Sequence, residues 1–246
     1  MIRVAAWSHV GQVRAHNEDT AALPGMLVTG SPPVPVELVM PWVDGTVFAV
    51  IDGMGGHAGG TEASMHVARG LTVRTTNIAE TVRTIHRSLY DVMARWPALS
   101  AMGATVAGVC LGDDQSITVF NVGDARVYRH VAGYSSIESI DDRGRNAQTV
   151  TQSIGGTARP VAINVHENII KSTPSDRFLL CTDGLSELVS FAEIQRTLNA
   201  EDTPGAVLCL VNLALAAGAP DNVTAIVVDV GTSDDVNDPE TVSRSE

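Results

Sequence analysis

The stretch Val47–His57, VFAVIDGMGGH, joins a run of apolar residues to a glycine-rich loop through one carboxylate, Asp52. The first five residues have the β-branched and aromatic content of a buried strand. Asp52 therefore falls at the rim of a predicted sheet, where the three glycines that follow leave backbone carbonyls unobstructed. Anionic and carbonyl oxygens at a rim suit a hard metal ion. By itself the pattern is equally compatible with a tight turn that carries a solvated aspartate.

Three more acids stand at the ends of strand-like runs. Asp183 follows RFLLCT, Asp124 follows ITVFNVG, and Asp221 stands just before the β-branched run NVTAIVVDV. One such aspartate is ordinary, but four in one chain indicate that carboxylates converge at one edge of a core. Because close carboxylates repel one another, cations are the usual means of holding them together.

The segment RAHNED, Arg14–Asp19, adds two adjacent acids close to an arginine. In an extended segment Glu18 and Asp19 point to opposite faces, so one can reach a metal ion while the other contacts a neighbour or a water. The planar guanidinium of Arg14 suits a phosphate or a carboxylate. A solvated cluster of surface ion pairs is the alternative interpretation of this segment.

Taken together, these segments resemble the metal-dependent protein phosphatase family, the type 2C serine/threonine phosphatases, in its compact bacterial form. The resemblance extends over about residues 1–230, in the order found in that family. The matching segments are RAHNED (Arg14–Asp19), FAVIDGMGGHAGGTEAS (Phe48–Ser64), GATVAGVCL (Gly103–Leu111), NVGDARVYR (Asn121–Arg129), TQSIGG (Thr151–Gly156), LLCTDGLSELV (Leu179–Val189) and PDNVTAIVV (Pro220–Val228).

The resemblance implies a centre of two divalent ions bridged by Asp52, with a third, weaker ion as in some members. In that arrangement Asp183 and Asp221 complete the first ion, and Glu18 and Asp19 hold the second, partly through water. The implied metal ligands are Glu18, Asp19, Asp52, Gly53 through its carbonyl, Asp124, Asp183 and Asp221.

The resemblance also assigns roles around the ions. Arg14 binds the substrate phosphate and, with Asp52, forms the catalytic pair, while Asn222 supports Asp221. Glu187 stands where many members have aspartate, and Met54 stands where eukaryotic members carry a histidine proposed as the general acid.

His57 is a candidate replacement for that acid, but a structural role, with a ring nitrogen bonded to the loop backbone, is the favoured interpretation.

The all-oxygen donor set favours Mn²⁺ or Mg²⁺ over Zn²⁺. Two such ions activate a water for in-line attack on phosphorus, and no covalent phosphoenzyme is needed. The resemblance therefore implies hydrolysis of phosphoserine and phosphothreonine in proteins, opposing a bacterial serine/threonine kinase. Two alternatives stay open: a catalytically silent phosphoprotein-binding module, and a phosphatase of small phosphoesters, since the segment between Val131 and Thr151 is shorter than the flap of bacterial members.

Composition indicates a cytoplasmic enzyme without a nucleic-acid or membrane partner. The 246 residues carry 16 basic and 28 acidic side chains, a net charge of −12, and such a charge repels nucleic acid and anionic lipid. The N-terminal residues lack the apolar core of a signal peptide, and the apolar segment Ala206–Ala217 is too short to span a bilayer.

Cys110, Cys181 and Cys209 lie in apolar runs and are expected to be reduced. We expect a monomer with one catalytic domain, 1–231, and an acidic, disordered tail, 232–246.

The pattern of elements predicts an α+β fold. Helices come in consecutive pairs, and short turns such as that at Gly112–Gln115 imply antiparallel strands. The resemblance specifies a four-layer αββα sandwich, two antiparallel β-sheets packed face to face with helices outside. The segment Gly30–Asp44 is expected to be a surface loop, with partner docking as the weaker alternative. Predicted strands are Arg3–Ser8, Val47–Ile51, Thr105–Leu111, Ser116–Val122, Arg126–His130, Ile163–Ile169, Arg177–Thr182 and Val223–Val230, and predicted helices are Thr61–Thr75, Ile78–Trp96, Phe191–Asn199 and Thr203–Ala217.

Overall fold

The computed structural model describes residues 1–55, 58–144 and 149–231. Two antiparallel sheets pack face to face, and a layer of helices covers the outer surface of each. The predicted α+β, four-layer αββα sandwich is confirmed. The predicted tail, 232–246, lies outside the described residues.

Each sheet is a continuous antiparallel array. The first sheet runs, in spatial order, β4 (Val36–Met40), β1 (Ile2–His9), β13 (Val223–Val230), β12 (Arg177–Cys181), β8 (Arg126–Val131) and β9 (Tyr134–Ile137). The second runs β11 (His166–Lys171), β7 (Ser116–Val122), β6 (Gly103–Leu111), β5 (Val47–Met54), β2 (Thr20–Leu23) and β3 (Met26–Thr29), with the short β10 (Ile154–Gly155) paired to β6.

The helices flank the sheets in two groups. α1 (Ala58–Leu71) and α2 (Ile78–Arg95) cover the second sheet, and α3 (Asp183–Ser186), α4 (Phe191–Ala200) and α5 (Thr203–Ala216) cover the first. The predicted helix starts are confirmed at two places. The Asn77 side chain accepts a hydrogen bond from the Glu80 backbone N–H at 3.0 Å, and Ser190 forms a reciprocal capping box with Glu193.

Alternation along the strands sorts the core into three layers. On β5, Val47, Ala49 and Ile51 face α1 and α2, while Phe48 and Val50 pack between the sheets. Successive side chains of a strand point to opposite faces, so the next inter-sheet position on β5 belongs to Asp52. The same strand that fills the core thus delivers a carboxylate to the end of the inter-sheet layer.

One predicted loop is partly wrong. The segment Gly30–Asp44 contains β4, which pairs antiparallel with β1 from Ala6↔Val36 to Ile2↔Met40. Its side chains alternate between half-buried and exposed, as expected for an edge strand, and prolines flank it on both sides, where edge strands tolerate them. Trp42 then donates its indole N–H to the Gly112 carbonyl at 3.1 Å.

Several boundaries differ from the prediction, and the short elements β2, β3, β9, β10 and α3 were not predicted. α1 begins at Ala58 and ends at Leu71, because the β-branched run that follows has low helix propensity. The strand expected at Ile163–Ile169 instead runs from His166 to Lys171, since Ile163 packs against the core beneath α1 and α2.

The apolar helix α5 has 14 residues, and within the described ranges no helix is both long and apolar enough to cross a membrane. Its buried side chains pack on the first sheet. Cys110 and Cys181 are buried free thiols, whereas the free thiol of Cys209 is only half-buried.

Replacing Leu180 tests the inter-sheet layer. Leu180 on β12 is fully buried between the sheets, so we expect Leu180→Ala to lower the free energy of unfolding by about 2–5 kcal/mol. The matched control is Leu208→Ala on α5, where the side chain is 43% exposed and the change is expected to stay within about 0.5 kcal/mol. Denaturant unfolding measures both, and equal losses would contradict the assigned layers.

Candidate metal centre

The apolar inter-sheet layer ends in a row of hydroxyl groups beneath the cleft. Ser8 and Thr224 join their hydroxyl oxygens at 2.8 Å, and the Thr224 backbone N–H donates to the Thr182 hydroxyl at 3.1 Å. The Thr182 hydroxyl in turn donates to a carboxylate oxygen of Asp19 at 2.9 Å. All four side chains are buried, so this network fixes Asp19 before any ligand binds.

The acidic side chains collect above this row because antiparallel pairing brings strand ends and strand starts to one edge. Ile51 pairs with Thr20, which places Asp52 beside the segment that carries Asp19. Cys181 pairs with Ala225, which places the residues after β12 beside those before β13, including Asp183 and Asp221. The end of β7 and the start of β8 bring Asp124 to the same end of the sandwich.

Asn222 ties the N-terminal loop to this edge. Its side-chain amide donates to the carbonyls of Val10 and His16, each at 2.9 Å, and its side-chain oxygen accepts the Glu18 backbone N–H at 2.8 Å. Its own backbone N–H donates to Asp221 at 2.8 Å. Asn222 therefore holds the Glu18 backbone through its side chain and the Asp221 carboxylate through its backbone N–H, a wider contribution than support of Asp221 alone.

The crowding of carboxylates raises their pKa values. Burial, followed by the charges of Asp183 and Asp221, raises the pKa of Asp19 to about 7. Burial raises the pKa of Asp183 to about 6, with repulsion from Asp124 next in importance. The pKa of Asp52 is also raised, first by loss of water and then by the neighbouring aspartates. These groups resist ionisation together unless a cation joins them.

Two arginines partly compensate this charge. Arg14 donates from Nη2 to Oδ2 of Asp221 at 2.6 Å, and both side chains are about half exposed at the mouth of the cleft. Arg143 lies deeper, with Nη1 2.7 Å from Oε1 of Glu187 and Nε 3.1 Å from Oδ2 of Asp124. Arg14 was identified from the sequence, but Arg143 was not.

Two glycines, Gly53 and Gly60, leave room for the side chain of Glu18. A Cβ on Gly60, in the first turn of α1, would overlap Oε2 of Glu18 and lie 3.0 Å from the Gly53 carbonyl oxygen. A Cβ on Gly53 would in turn meet the backbone oxygens of Gly60 and Glu18. The two glycines thus allow a carboxylate and a carbonyl oxygen to share a small space, as an oxygen-coordinated ion requires.

The cleft itself is a cavity of about 500 Å³ whose wall includes Arg14, Glu18, Asp52, Met54 and Asp221. Within the described ranges no three acidic, histidine or cysteine side chains are gathered as a ready-made metal-binding group. The oxygen-only donors, the raised pKa values and the space around Glu18 nevertheless fit two hard divalent cations, which would draw the carboxylates together.

The predicted site residues thus come together at one end of the sandwich, except that His57 lies outside the described residues. Their roles as ligands stay predictions. Sequence reasoning missed the buried hydroxyl row and Arg143. The alternation of side chains along a strand could have indicated Thr182 and Thr224. Thr182 continues the inter-sheet series Phe178 and Leu180, and Thr224 precedes the inter-sheet residues Ile226 and Val228 at the same spacing of two. For Arg143 the signal was weak: a basic residue that follows two acids, Asp141 and Asp142, in a short flap segment.

The chain belongs to the protein phosphatase 2C family. The model of that family, described as "Protein phosphatase 2C", matches residues 39–206, which is more than half of the sequence. Among curated proteins, the chain is 27% identical to the serine/threonine protein phosphatase PstP of Mycobacterium tuberculosis, over 94% of this chain and 45% of that protein. The chain therefore spans about half the length of that relative.

Solved structures agree with the assignment. The chain superimposes on PppA of Pseudomonas aeruginosa, described as a key regulatory component of T6SS, with a TM-score of 0.76 and 27% identity, covering 93% of this chain and 97% of that one. It also superimposes on the catalytic domain of PstP in complex with two manganese ions, with a TM-score of 0.76 and 25% identity, covering 94% of this chain and 100% of that one.

Gly60→Ala tests the space around Glu18. Alanine normally stabilises a helix relative to glycine, but here its Cβ would push Glu18 aside, so we expect Mn²⁺ affinity to fall about 10- to 100-fold. The matched control is the adjacent Gly59→Ala, whose Cβ would meet only Met102 at an ordinary 3.5 Å. Calorimetric titration with MnCl₂ compares the two, and equal affinities would contradict the arrangement.

The raised pKa values predict how the metal-free protein responds to pH. Asp19 and Asp183 titrate above their ordinary value of 3.8, so the folded state binds more protons than the unfolded state between about pH 4 and pH 7. Stability without metal should therefore fall as pH rises through this window, and Asp19→Asn should lessen the fall. Thermal unfolding in chelator measures it.

Manganese should reverse this loss. At about 100 times its Kd, bound Mn²⁺ contributes about 2.7 kcal/mol, which for a domain of this size raises Tm by roughly 5–10 °C. The increase should be larger near neutral pH than in acid, because the ligands must be deprotonated to bind. A metal-free Tm that rises from acid to neutral pH would contradict the charge crowding.

Proposed function

We propose that this chain hydrolyses phosphoserine and phosphothreonine in proteins, using Mn²⁺ or Mg²⁺. The observation that carries the proposal is the convergence of carboxylates in a cleft that has an arginine at its mouth. Membership of the protein phosphatase 2C family supports the reaction class, and the two manganese ions of the PstP catalytic domain support the cofactor.

The proposed ligands divide between two ions. Asp52, Asp183 and Asp221 would hold the first, and Asp52 would also reach the second together with Glu18, Asp19 and the Gly53 carbonyl. When bound, such ions lower the pKa of a water and neutralise charge on a phosphate. The Thr182 hydroxyl donates to Oδ2 of Asp19 at 2.9 Å, so the orientation of this carboxylate beside the cleft is fixed by the protein itself.

Arg14 can pair with Asp221 or with the phosphate of a substrate. Without a ligand its guanidinium pairs with Asp221. A cation held by Asp221 would neutralise that carboxylate, and the exposed guanidinium of Arg14 could then donate to phosphate oxygens in the cleft. A planar, permanently charged fork is suited to that contact and to the charge that grows on the oxygens during transfer. Arg14 would in this way link cation binding at Asp221 to binding of the substrate phosphate.

Met54 lies on the cleft wall, and its thioether carries no proton to give to a leaving serine or threonine. The proton must come from another group, and His57 stays a prediction for a structural role rather than for this one. The reaction is therefore expected to depend less on a protein acid than on how well the cleft positions the phosphate.

We further propose that residues 1–231 form one catalytic domain. In support, β1 and β13 are neighbours in the first sheet with register from Ile2↔Val230 to His9↔Val223, so the two ends of this range share one core. Opposition to a serine/threonine kinase, cytoplasmic location and the monomeric state stay predictions.

Asp52→Asn tests the proposed bridge. Loss of a shared charged ligand should remove several kcal/mol of transition-state stabilisation, a fall of about 10²–10³-fold in kcat/KM. The assay follows phosphate release from a phosphothreonine peptide with MnCl₂, with and without chelator. Asp91→Asn, exposed on α2, is the matched control and should behave like the wild type.

Full activity in chelator, or an unaffected Asp52→Asn, would contradict the mechanism. Peptide binding without turnover would instead support the silent binding module. A parallel series with p-nitrophenyl phosphate separates the remaining alternative, because an enzyme of small phosphoesters would prefer it to the peptide.

A further inference from the structure

The short segment after β9 carries a positive charge into the acidic cluster. The Arg143 side chain is 17% exposed and spans Asp124 on one side and Glu187 on the other. Asp183 and Asp141 lie farther away, with their nearest oxygens 4.0 Å and 3.9 Å from guanidinium nitrogens. The guanidinium therefore stands where Asp124 would otherwise present its carboxylate to a third divalent ion.

Arg143 is held at this position by its backbone neighbours. Asp142 and Gly123 exchange two hydrogen bonds: the Asp142 N–H donates to the Gly123 carbonyl at 2.9 Å, and the Gly123 N–H donates to the Asp142 carboxylate at 2.8 Å. Gly123 precedes Asp124, so these bonds fix the separation of Arg143 and Asp124. Arg143 also forms a β-bridge with Val150.

Side chains on both sides reinforce this anchor. The Asp142 carboxylate also contacts the Gln152 amide at 2.9 Å and Nε2 of His166 at 2.8 Å. The preceding residue, Asp141, is bound by Arg126 through Nε at 3.0 Å and Nη2 at 2.6 Å. The segment that carries Arg143 is thus fastened on both sides of the turn between β7 and β8.

We infer that Arg143 is a built-in cation that occupies the third-metal position of this chain, so that the protein binds two divalent ions and not three. This inference rests on the proposed two-ion site. A guanidinium is charged at every accessible pH and satisfies two carboxylates in one plane. It is also tethered, and a tethered group competes at an effective concentration in the millimolar range or above. A weakly held third ion loses that competition.

Arg143 does not block the ligands of the first two proposed ions. The nearest guanidinium nitrogen lies 4.0 Å from Asp183, beyond hydrogen-bond distance, so this carboxylate stays available to the first ion. Asp124 and Glu187 receive the close contacts, and neither belongs to the proposed two-ion set. Arg143 therefore competes only with the third ion, for which Asp124 is the predicted ligand, and not with the first two.

The test counts manganese ions bound to the full chain. Equilibrium dialysis against increasing MnCl₂, with metal analysis of the protein, should give two ions for the wild type. Arg143→Gln should bind a third, with affinity at least about tenfold above any third ion on the wild type. Arg83→Gln removes the same charge from α2, where Arg83 lies 3.9 Å from Glu80, and should bind two.

A double variant tests whether Asp124 holds the third ion: Asp124→Asn combined with Arg143→Gln should return the count to two. A wild type that already binds three ions, or an Arg143→Gln protein that still binds two, overturns the inference and leaves the proposed function intact. A wild type that binds no manganese overturns both. The wild-type count decides even if Arg143→Gln fails to fold.

Discussion

Repulsion among carboxylates at one end of the sandwich is the constraint on which the rest of the molecule depends. Antiparallel pairing delivers Asp19, Asp52, Asp183 and Asp221 to the same edge. The raised pKa values of Asp19, Asp52 and Asp183 reflect the cost of burying these carboxylates close together. A fold accepts such a cost where function requires it. Cations relieve the repulsion, and the molecule supplies one from Arg14 and one from Arg143 while leaving the centre for divalent ions.

The fold serves this arrangement through strand alternation. The inter-sheet face is apolar along most of β1, β5, β12 and β13 and becomes polar only at the positions nearest the cleft. The apolar part stabilises the sandwich and the polar end fixes Asp19. The strands that form the core therefore also hold the site in place. Substitutions in the middle of the layer should affect stability first, whereas those at its end should affect the cleft.

Much of this was readable from the sequence, for physical reasons. Asp52 could be placed at the rim of a sheet because the β-branched and aromatic residues just before it predict a strand. Asn77 and Ser190 could be identified as helix caps because capping depends on residues that are close in sequence. β4 was missed because it is a five-residue edge strand with prolines on both sides, and because the exposed Val39 breaks the apolar–polar alternation of its sequence. Arg143 was missed because its partners Asp124 and Glu187 are distant in sequence, and no local pattern predicts contacts of that kind.

The most direct test of the central claim is the location of the ions. Crystals of the chain grown in MnCl₂ and measured at the manganese absorption edge give anomalous peaks that identify each ion. The account predicts two peaks that share the Asp52 carboxylate, with Arg14 released from Asp221 and Arg143 still between Asp124 and Glu187. Peaks away from Asp52, or a manganese ion in the place of the Arg143 guanidinium, would contradict it.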